Sequence, residues 1–151
     1  MSPPPAIHAT AVVVGEAGVL IRGASGAGKS ALALALVVAA GRAGLFGCLV
    51  GDDRVRLVAR HGRLVAAGHP AVAGLIERRG QGLENMACEA SAVVRLIVDL
   101  VEPAAAPRLP AAAERREMLA GVETARMALA SNGSARDQAE AVLARLRAEG
   151  G

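Results

Sequence analysis

The sequence is organised around the octapeptide Gly23-Ala24-Ser25-Gly26-Ala27-Gly28-Lys29-Ser30. It fits the pattern G-x-x-x-x-G-K-[S/T], which is typical of loops that bind phosphate groups. Glycines adopt positive φ angles and carry no side chain, so successive backbone N–H groups can curl around an anion. In this pattern the Lys29 ammonium reaches the β- and γ-phosphates, and the Ser30 hydroxyl binds Mg²⁺. The octapeptide therefore predicts a site for a nucleoside triphosphate or another polyphosphate.

The residues on both sides of the octapeptide provide the structural context that such a loop needs. Residues 19–22 predict a short strand, and residues 31–40 are an unbroken run of good helix formers. We expect the helix to extend from Lys29 to about Ala40 and to end at Gly41 or Gly44. A glycine-rich turn without a ligand is the alternative, but it explains neither the Gly-Lys-Ser ending nor the flanking elements.

The composition of the 151-residue chain argues against a nucleic-acid partner. Phe46 is the only Phe, Tyr or Trp in the chain, whereas proteins that bind single-stranded nucleic acid normally stack bases on aromatic side chains. The formal charge is +3, but the arginines are scattered and form no basic stripe. Lys29 is the only lysine, and it falls in the predicted phosphate loop.

No segment is typical of a membrane or exported protein. The longest apolar run, residues 31–40, is shorter than the roughly 20 residues that a membrane-spanning helix needs. Residues 1–5 lack the basic and apolar regions of a signal peptide. We expect a cytoplasmic protein without membrane contact, folded as a single domain over residues 1–151 with a disordered tail at 1–6.

The remaining elements follow from hydrophobic alternation and turn residues. Residues 7–14 predict a strand that pairs antiparallel with 19–22, so that a hairpin leads into the octapeptide. Further strands are predicted at 45–50, at 55–59 and 63–66 as a second hairpin, at 92–101, and at 127–129 as an edge strand. Residues 114–119 predict a helical turn, and a capping box at Ser134 predicts a helix over about 135–148. Residues 75–82 mix charges with glycines and predict a loop at the site.

Two adjacent carboxylates, Asp52 and Asp53, follow the apolar strand at 45–50. Adjacent side chains at a strand end tend to point in different directions. One carboxylate can therefore face a metal ion while its neighbour faces a phosphoryl acceptor and exchanges a proton with its hydroxyl group. The alternative is a solvated Asp-Asp turn without a catalytic role.

Three further residues are candidates for a part in phosphoryl transfer. Glu77 can complete the coordination of Mg²⁺, and Arg79 can neutralise the phosphoryl oxygens. The alternative for this pair is a surface ion pair. His8, in the predicted strand over 7–14, is a further candidate, whereas we predict no role for His61, a turn residue, or His69, a loop residue.

Taken together, these stretches resemble the C-terminal catalytic domain of the HPr kinase/phosphorylase family of bacteria. The resemblance covers residues 8–101 and depends on four linked features, which are His8, residues 19–30, residues 50–55 and residues 75–82. It implies an α/β fold in which a P-loop-containing mixed sheet is flanked by helices, akin to phosphoenolpyruvate carboxykinase. Family members commonly assemble as hexamers, so the resemblance also implies a homo-oligomer.

The resemblance implies ATP-dependent phosphorylation of a serine on the phosphocarrier protein HPr, which regulates the sugar phosphotransferase system or a linked signalling pathway. It assigns ATP binding to residues 23–30, and it makes Asp52 the base that takes the serine proton. His8 and Arg79 would support the phosphoryl group, and Lys29 would hold the phosphates. Arg108 falls near a further catalytic arginine of the family. The resemblance assigns Mg²⁺ to Ser30 and Glu77, with Asp53 at the metal side.

The sequence departs from the family pattern at both ends. The family's usual N-terminal domain does not precede His8, so we expect a short form of the kind found in some proteobacteria. A stretch that the family ties to dephosphorylation has no counterpart around residues 123–131, which leaves open whether phosphorolysis occurs. Two other functions also stay open: a P-loop kinase or ATPase with a different substrate, and a nucleotide sensor without catalytic activity.

Overall fold

The computed structural model describes residues 6–68, 74–78, 82–85, 88–106 and 115–150. Their strands and α-helices are, in order, β1 (Ala6–Ile7), β2 (Ala9–Val14), β3 (Ala17–Gly23), α1 (Lys29–Arg42), β4 (Gly47–Gly51), β5 (Val55–Arg60), β6 (Arg63–Gly68), β7 (Leu75–Arg78), β8 (Gly82–Asn85), β9 (Ser91–Val101), β10 (Arg116–Leu119), β11 (Val122–Ala130) and α2 (Ala135–Gly150). Of the predicted tail, residues 1–5 lie outside this set, and Ala6 belongs to β1. No helix in the described ranges is long and apolar enough to cross a membrane.

The first predicted hairpin is confirmed, because β2 pairs antiparallel with β3, with Val12 opposite Val19. On its other side β2 pairs antiparallel with β4, with Val12 opposite Leu49. Both neighbours thus run opposite to β2, so the start of β2 lies beside the carboxyl ends of β3 and β4. The predicted strand over 7–14 is interrupted at His8, which separates β1 from β2.

The long strand β9 joins the two halves of the sheet. It pairs parallel with β3, where Leu96 lies opposite Val19, and parallel with β11, where Val98 lies opposite Met127. Its first residues pair antiparallel with β6, which forms the second predicted hairpin with β5. Because parallel and antiparallel pairs share one sheet and two helices pack against it, the predicted α/β class with a mixed sheet is confirmed.

Apolar side chains fill both faces of this sheet, as successive residues of β3 illustrate. Ile21 lies in a core that includes Leu36 of α1 and Val142 of α2. Leu20 points to the opposite face and packs with Leu64 of β6 in a second core. This alternation follows from the period of two residues in a strand, and it buries the sheet from both sides.

Both helices have the termini that their sequences predict. Gly44, with a φ of 75°, follows α1, and the N–H of Leu45 donates to the carbonyl of Ala40 at 2.8 Å. The helix ends at Arg42, two residues beyond the predicted Ala40, and Gly44 is one of the two glycines predicted to end it. At the start of α2 the N–H of Asp137 donates to the Ser134 hydroxyl at 3.1 Å, which confirms the predicted cap.

Two predictions of local structure are wrong. The segment predicted as a site loop contains β7, which pairs with β8, and Ile76 of β7 is buried in the core under α1. Residues 116–119 form β10 and not a helical turn. The predicted strand at 127–129 lies within the longer β11, where these residues pair with β9 and the partner β10 reaches only Ala125. For β7 and β10, strand pairing in the tertiary structure overrides the local preference of the sequence.

Four charged side chains form an ion cluster near the end of β3. The Arg22 guanidinium donates to both oxygens of Asp99 at 2.7 and 2.8 Å and to both oxygens of Glu117 at 2.7 Å. Arg126 Nε donates to Asp99 at 2.7 Å. The exposed fractions of these side chains lie between 13% and 30%. The cluster therefore ties β10 and β11 to β9 and to the strand that leads into the glycine loop.

The arginines of this cluster stabilise the ionised forms of its acids. The hydrogen bond from Arg22 lowers the pKa of Glu117. Burial tends to raise the pKa of Asp99, but hydrogen bonds from Arg22 and Arg126 outweigh it, and the net result is a lowered pKa. The ordinary pKa values of Asp and Glu are about 4. The cluster thus stabilises the fold above that pH, and this contribution is lost as the pH falls through the lowered pKa values.

Replacing the central acid of the cluster, Asp99→Asn, should lower the free energy of unfolding at pH 7 by about 2 to 3 kcal/mol, because two partly buried arginines lose their shared countercharge. The difference from the unmodified chain should shrink below about pH 4, where the carboxylates take up protons. Urea unfolding at pH 7 and pH 3 measures both effects. The matched control is Glu123→Gln, which removes an exposed partner of Arg116 and should cost less than about 1 kcal/mol. Equal losses for the two variants at pH 7 would contradict this account.

Candidate active site

Three strand ends bring the predicted site residues together. Strand β3 leads into the glycine loop, β4 leads into Asp52 and Asp53, and β2 begins directly after His8. Because β2 is antiparallel to both β3 and β4, its first residues lie at the same end of the sheet as the loop and the two acids. This end of the sheet is the candidate active site.

The loop between β3 and α1 has the backbone that its glycines predict. Gly26 and Gly28 have φ angles of 82° and 102°, and apart from their chain neighbours no atom of the described residues lies within 4 Å of the position that a Cβ would take at either. No side chain of the described residues caps the amino end of α1. The first N–H groups of α1 can therefore meet an anion, whose charge the helix dipole favours.

The side chain of Lys29 folds back onto the start of the glycine loop. Its side chain is buried, and Nζ donates to the carbonyl oxygens of Gly23 and Ala24 at 3.0 and 3.2 Å. An ammonium group is a compact charge with three donors, so it can exchange such carbonyls for the oxygens of a phosphate. The ammonium group of the one lysine in the chain thus lies at the loop that is predicted to bind phosphate.

Asp52 is the acid that faces the loop. Its exposed fraction is 7%, and its Oδ1 atom accepts hydrogen bonds from Ser30 Oγ at 2.7 Å and from Thr10 Oγ1 at 2.8 Å. An ionised carboxylate can only accept hydrogen bonds, so both hydroxyl groups donate. A carboxylate oxygen therefore lies directly beside the hydroxyl group that the loop motif assigns to Mg²⁺.

Asp53 faces a different partner. Its Oδ1 atom lies 3.1 Å from His8 Nε2, and the exposed fractions of these two side chains are 58% and 57%. Its backbone has a φ of 63°, a left-handed conformation in which Asp is found more often than most residues. The structure thus brings Asp52, and not Asp53, to Ser30, although the resemblance assigns Asp53 to the metal side. The catalytic and metal roles of both acids stay predictions.

Thr10 is a site residue that the sequence analysis missed. It is fully buried, and it contacts Asp52 through its hydroxyl group and the backbone N–H of Asp53 through the same oxygen. The available signal was a single hydroxyl group in a strand that otherwise contains only Ala and Val. Because β-branched Thr is common in strands for its shape alone, the sequence does not distinguish this threonine from an ordinary strand residue.

The structure describes the remaining predicted site residues only in part. Glu77 lies on β7, which packs beside α1, but its side chain is outside the described part of the chain. Arg79 and Arg108 lie outside the described residues altogether. The roles that the sequence analysis assigned to these three residues stay predictions.

The described oxygen donors suit a magnesium ion that is shared with a ligand. Ser30 and Asp52 contribute hard oxygen atoms, and Mg²⁺ is usually held by one or two carboxylates together with phosphate oxygens. Within the described ranges, no group of three or more His, Cys, Asp or Glu residues could hold a metal ion by itself. The site therefore fits an ion that arrives with a phosphate-bearing ligand.

A cavity of about 650 Å³ lies at the other end of the sheet. It is lined by the starts of β3, β9 and β11 and by the end of α2, including Ala17, Val94, Thr124 and Leu146. The glycine loop and the two acids lie at the opposite ends of β3 and β4. The cavity is therefore separate from the candidate active site.

Three comparisons relate the chain to known proteins. The family described as the HPr Serine kinase C-terminal domain matches residues 1–131. The HPr kinase/phosphorylase of Mycoplasma mycoides subsp. mycoides SC is 35% identical over 108 residues, which are 67% of this chain and 33% of that protein. The chain therefore spans about a third of the length of this curated relative.

The third comparison concerns a solved structure, that of the Hpr(Ser) kinase/phosphatase from Coxiella burnetii. It matches with a TM-score of 0.78 and 26% identity, over 95% of this chain and 96% of that chain. The match confirms the predicted HPr-kinase-like fold. The similarity also extends beyond residues 8–101, where the motifs of the sequence had placed it.

The exposed pair of His8 and Asp53 should contribute little to folding. We expect His8→Ala to change the free energy of unfolding by less than about 0.5 kcal/mol, because exposed ion pairs are weak. Urea unfolding at pH 7 measures this change in the free energy of unfolding. The buried core variant Leu36→Ala should lose about 2 to 5 kcal/mol and shows that the assay detects real losses. A loss above about 1 kcal/mol for His8→Ala would mean that the pair is structural.

Proposed function

We propose that this chain, which belongs to the family of the HPr serine kinase C-terminal domain, transfers the γ-phosphoryl group of ATP to a serine of an HPr-type phosphocarrier protein. The observation that carries the proposal is the contact between Asp52 and Ser30, 2.7 Å apart at the start of the helix that follows the glycine loop. In this proposal the carboxylate lies beside the phosphates that the loop binds and receives the proton of the carrier's serine.

Residues 23–30 bind the phosphates of ATP in this proposal. The backbone N–H groups of the loop and of the first turn of α1 surround the phosphate oxygens. Lys29 leaves the carbonyls of Gly23 and Ala24, to which it is bonded in the structure, and donates to the β- and γ-phosphates. Positive charge and dipoles aimed at the phosphates stabilise the charge that develops during transfer.

The same proposal includes Mg²⁺, which would neutralise charge on the β- and γ-phosphates. Ser30 and Glu77 would hold the ion, with Asp53 at the metal side as the resemblance implies. The rest of the coordination would come from phosphate oxygens and water.

In the proposed reaction the serine oxygen of the carrier attacks the γ-phosphorus of ATP. An oxygen–phosphorus bond forms to the serine, the bond between the γ-phosphorus and the β–γ bridging oxygen breaks, and ADP leaves. The serine proton passes to the carboxylate of Asp52, which acts as the general base. His8, Arg79 and Arg108 are proposed to support the transferring phosphoryl group and to offset its charge.

Dephosphorylation of the carrier by phosphorolysis is a second candidate, because the two relatives are named kinase/phosphorylase and kinase/phosphatase. In phosphorolysis, inorganic phosphate attacks the phosphoserine, the serine oxygen takes back a proton, and pyrophosphate leaves. Both reactions use ATP or phosphate together with a carrier protein of the cell interior, so we propose that the chain acts in the cytoplasm. The homo-oligomer that the resemblance implies stays a prediction.

Removing the loop lysine should abolish tight binding of the nucleotide. We expect Lys29→Ala to weaken ATP binding on the order of 100-fold, because hydrogen bonds from a charged donor are worth about 1.5 to 3 kcal/mol. Calorimetric titration with MgATP measures the affinity. Arg42→Ala, which removes a cation at the far end of the same helix, should leave the affinity unchanged. If Lys29→Ala binds ATP as tightly as the unmodified chain, the loop does not bind phosphate.

Removing the proposed base should separate binding from transfer. We expect Asp52→Asn to bind ATP as the unmodified chain does, and to transfer phosphate about 100- to 10,000-fold more slowly, which is the usual contribution of a general base. The assay uses labelled ATP, Mg²⁺ and an HPr-type protein from the same cell. Asp137→Asn, at the start of α2, is the control with full activity. Normal transfer by Asp52→Asn would rule out its role as the base.

The same assay tests the proposed function itself. The label on the carrier should survive acid, as phosphoserine does and phosphohistidine does not. Release of phosphate without any carrier would favour an ATPase or a kinase with another substrate. Tight ATP binding without turnover, whatever the acceptor, would favour a nucleotide sensor. Release of pyrophosphate from phosphorylated carrier and inorganic phosphate would establish phosphorolysis.

A further inference from the structure

We infer that Thr10 is a positioning residue that holds both acids of the active site, Asp52 by its side chain and Asp53 by its backbone. The inference rests on the proposed function, because it concerns the carboxylate that is proposed to take the serine proton. Neither the phosphate-loop motif nor the family resemblance assigns a role to Thr10.

The hydroxyl group of Thr10 makes two hydrogen bonds of opposite sense. It donates to Asp52 Oδ1 at 2.8 Å, and it accepts the backbone N–H of Asp53 at 3.3 Å. A hydroxyl group has one proton and two lone pairs, so the donated proton goes to the carboxylate and a lone pair receives the N–H. Valine at the same position would have a similar shape and could make neither bond.

The location of Thr10 makes it a fixed support for the acids. Its exposed fraction is 0%, and Val12 and Val14, which follow on the same side of β2, are packed in the core under α1. A β-branched side chain in such packing has restricted rotation about χ1. The hydroxyl group is thus anchored to the sheet and cannot turn away towards water.

Asp52 has a second hydroxyl donor, Ser30, at 2.7 Å, but the two donors differ in what else they do. Ser30 belongs to the phosphate loop and is proposed to bind Mg²⁺ when the nucleotide is present. Thr10 lies on β2, outside the loop. It can therefore keep the Asp52 carboxylate in one orientation whether or not a nucleotide occupies the loop.

The backbone of Asp53 also needs support. Its φ of 63° lies in the left-handed region, which residues other than glycine seldom adopt. Such a conformation persists where its surroundings restrain it. The bond from the Asp53 N–H to Thr10 is one such restraint, and in this conformation the Asp53 side chain meets His8. Thr10 thereby directs the two neighbouring carboxylates to different partners.

Two pairs of variants test whether the hydroxyl group, and not the shape of the residue, is needed. Thr10 and Thr10→Val differ in the hydroxyl group at nearly constant shape, and Thr10→Ser and Thr10→Ala repeat this comparison in a smaller side chain. We expect Thr10→Val and Thr10→Ala to lower kcat for transfer to the carrier by about 10- to 100-fold, as displacement of a reacting group does. The KM for the carrier and the calorimetric affinity for MgATP should change less than about threefold in both variants, and Thr10→Ser should restore kcat to within about threefold.

Equal loss of kcat in Thr10→Ser and Thr10→Ala would overturn the inference, since the methyl group and not the hydroxyl would then matter. A normal kcat in Thr10→Val would also overturn the inference. If Thr10→Val does not fold, the comparison of Thr10→Ser with Thr10→Ala tests the inference by itself. Crystal structures give a readout that needs no activity. The inference is overturned if Thr10→Val keeps Asp52 at 2.7 Å from Ser30 and Asp53 at its left-handed φ. A failure of the unmodified chain to phosphorylate the carrier would contradict only the proposed function.

Discussion

The antiparallel pairing of β2 with both β3 and β4 is the constraint on which the candidate active site depends. It sets the amino end of one strand between the carboxyl ends of two others, so that residues from three parts of the chain meet at one end of the sheet. The glycine loop follows β3, and the two acids follow β4. The strand between them contributes Thr10 and the neighbouring His8. This pairing brings the Asp52 carboxylate beside the loop.

Hydrogen bonds offset the free-energy cost of burying the polar groups at this end of the sheet. Burying a charge without partners is costly, yet Asp52 accepts two hydroxyl donors and Lys29 donates to two carbonyls. In the part of the chain that the structure describes, no buried side-chain nitrogen or oxygen lacks a partner. On the other face of the sheet, the cluster around Arg22 and Asp99 holds the end of β3 just before the loop.

Elements whose signals are local were predictable from the sequence. Each of the two hairpins has a tight turn between segments of alternating hydrophobicity, α1 is followed by a glycine, and α2 starts at a serine cap. All four features were predicted and are confirmed. The errors fall on β7 and β10, each of which is stabilised as a strand by pairing with a neighbouring strand. The local composition of these segments does not indicate a strand, because the β propensity of a residue depends mainly on the side chains of the strands beside it.

The sequence by itself identified the residues on which the proposed phosphoryl transfer depends, a glycine loop with one lysine and two adjacent carboxylates. It could do so because each of these motifs lies within a short segment of the chain. Only the tertiary structure decided which carboxylate meets the loop, and that Thr10 holds both. The deciding hydrogen bonds join residues 22 and 42 positions apart. Such contacts depend on strand pairing and on the direction of each side chain, and no pattern within either segment encodes them.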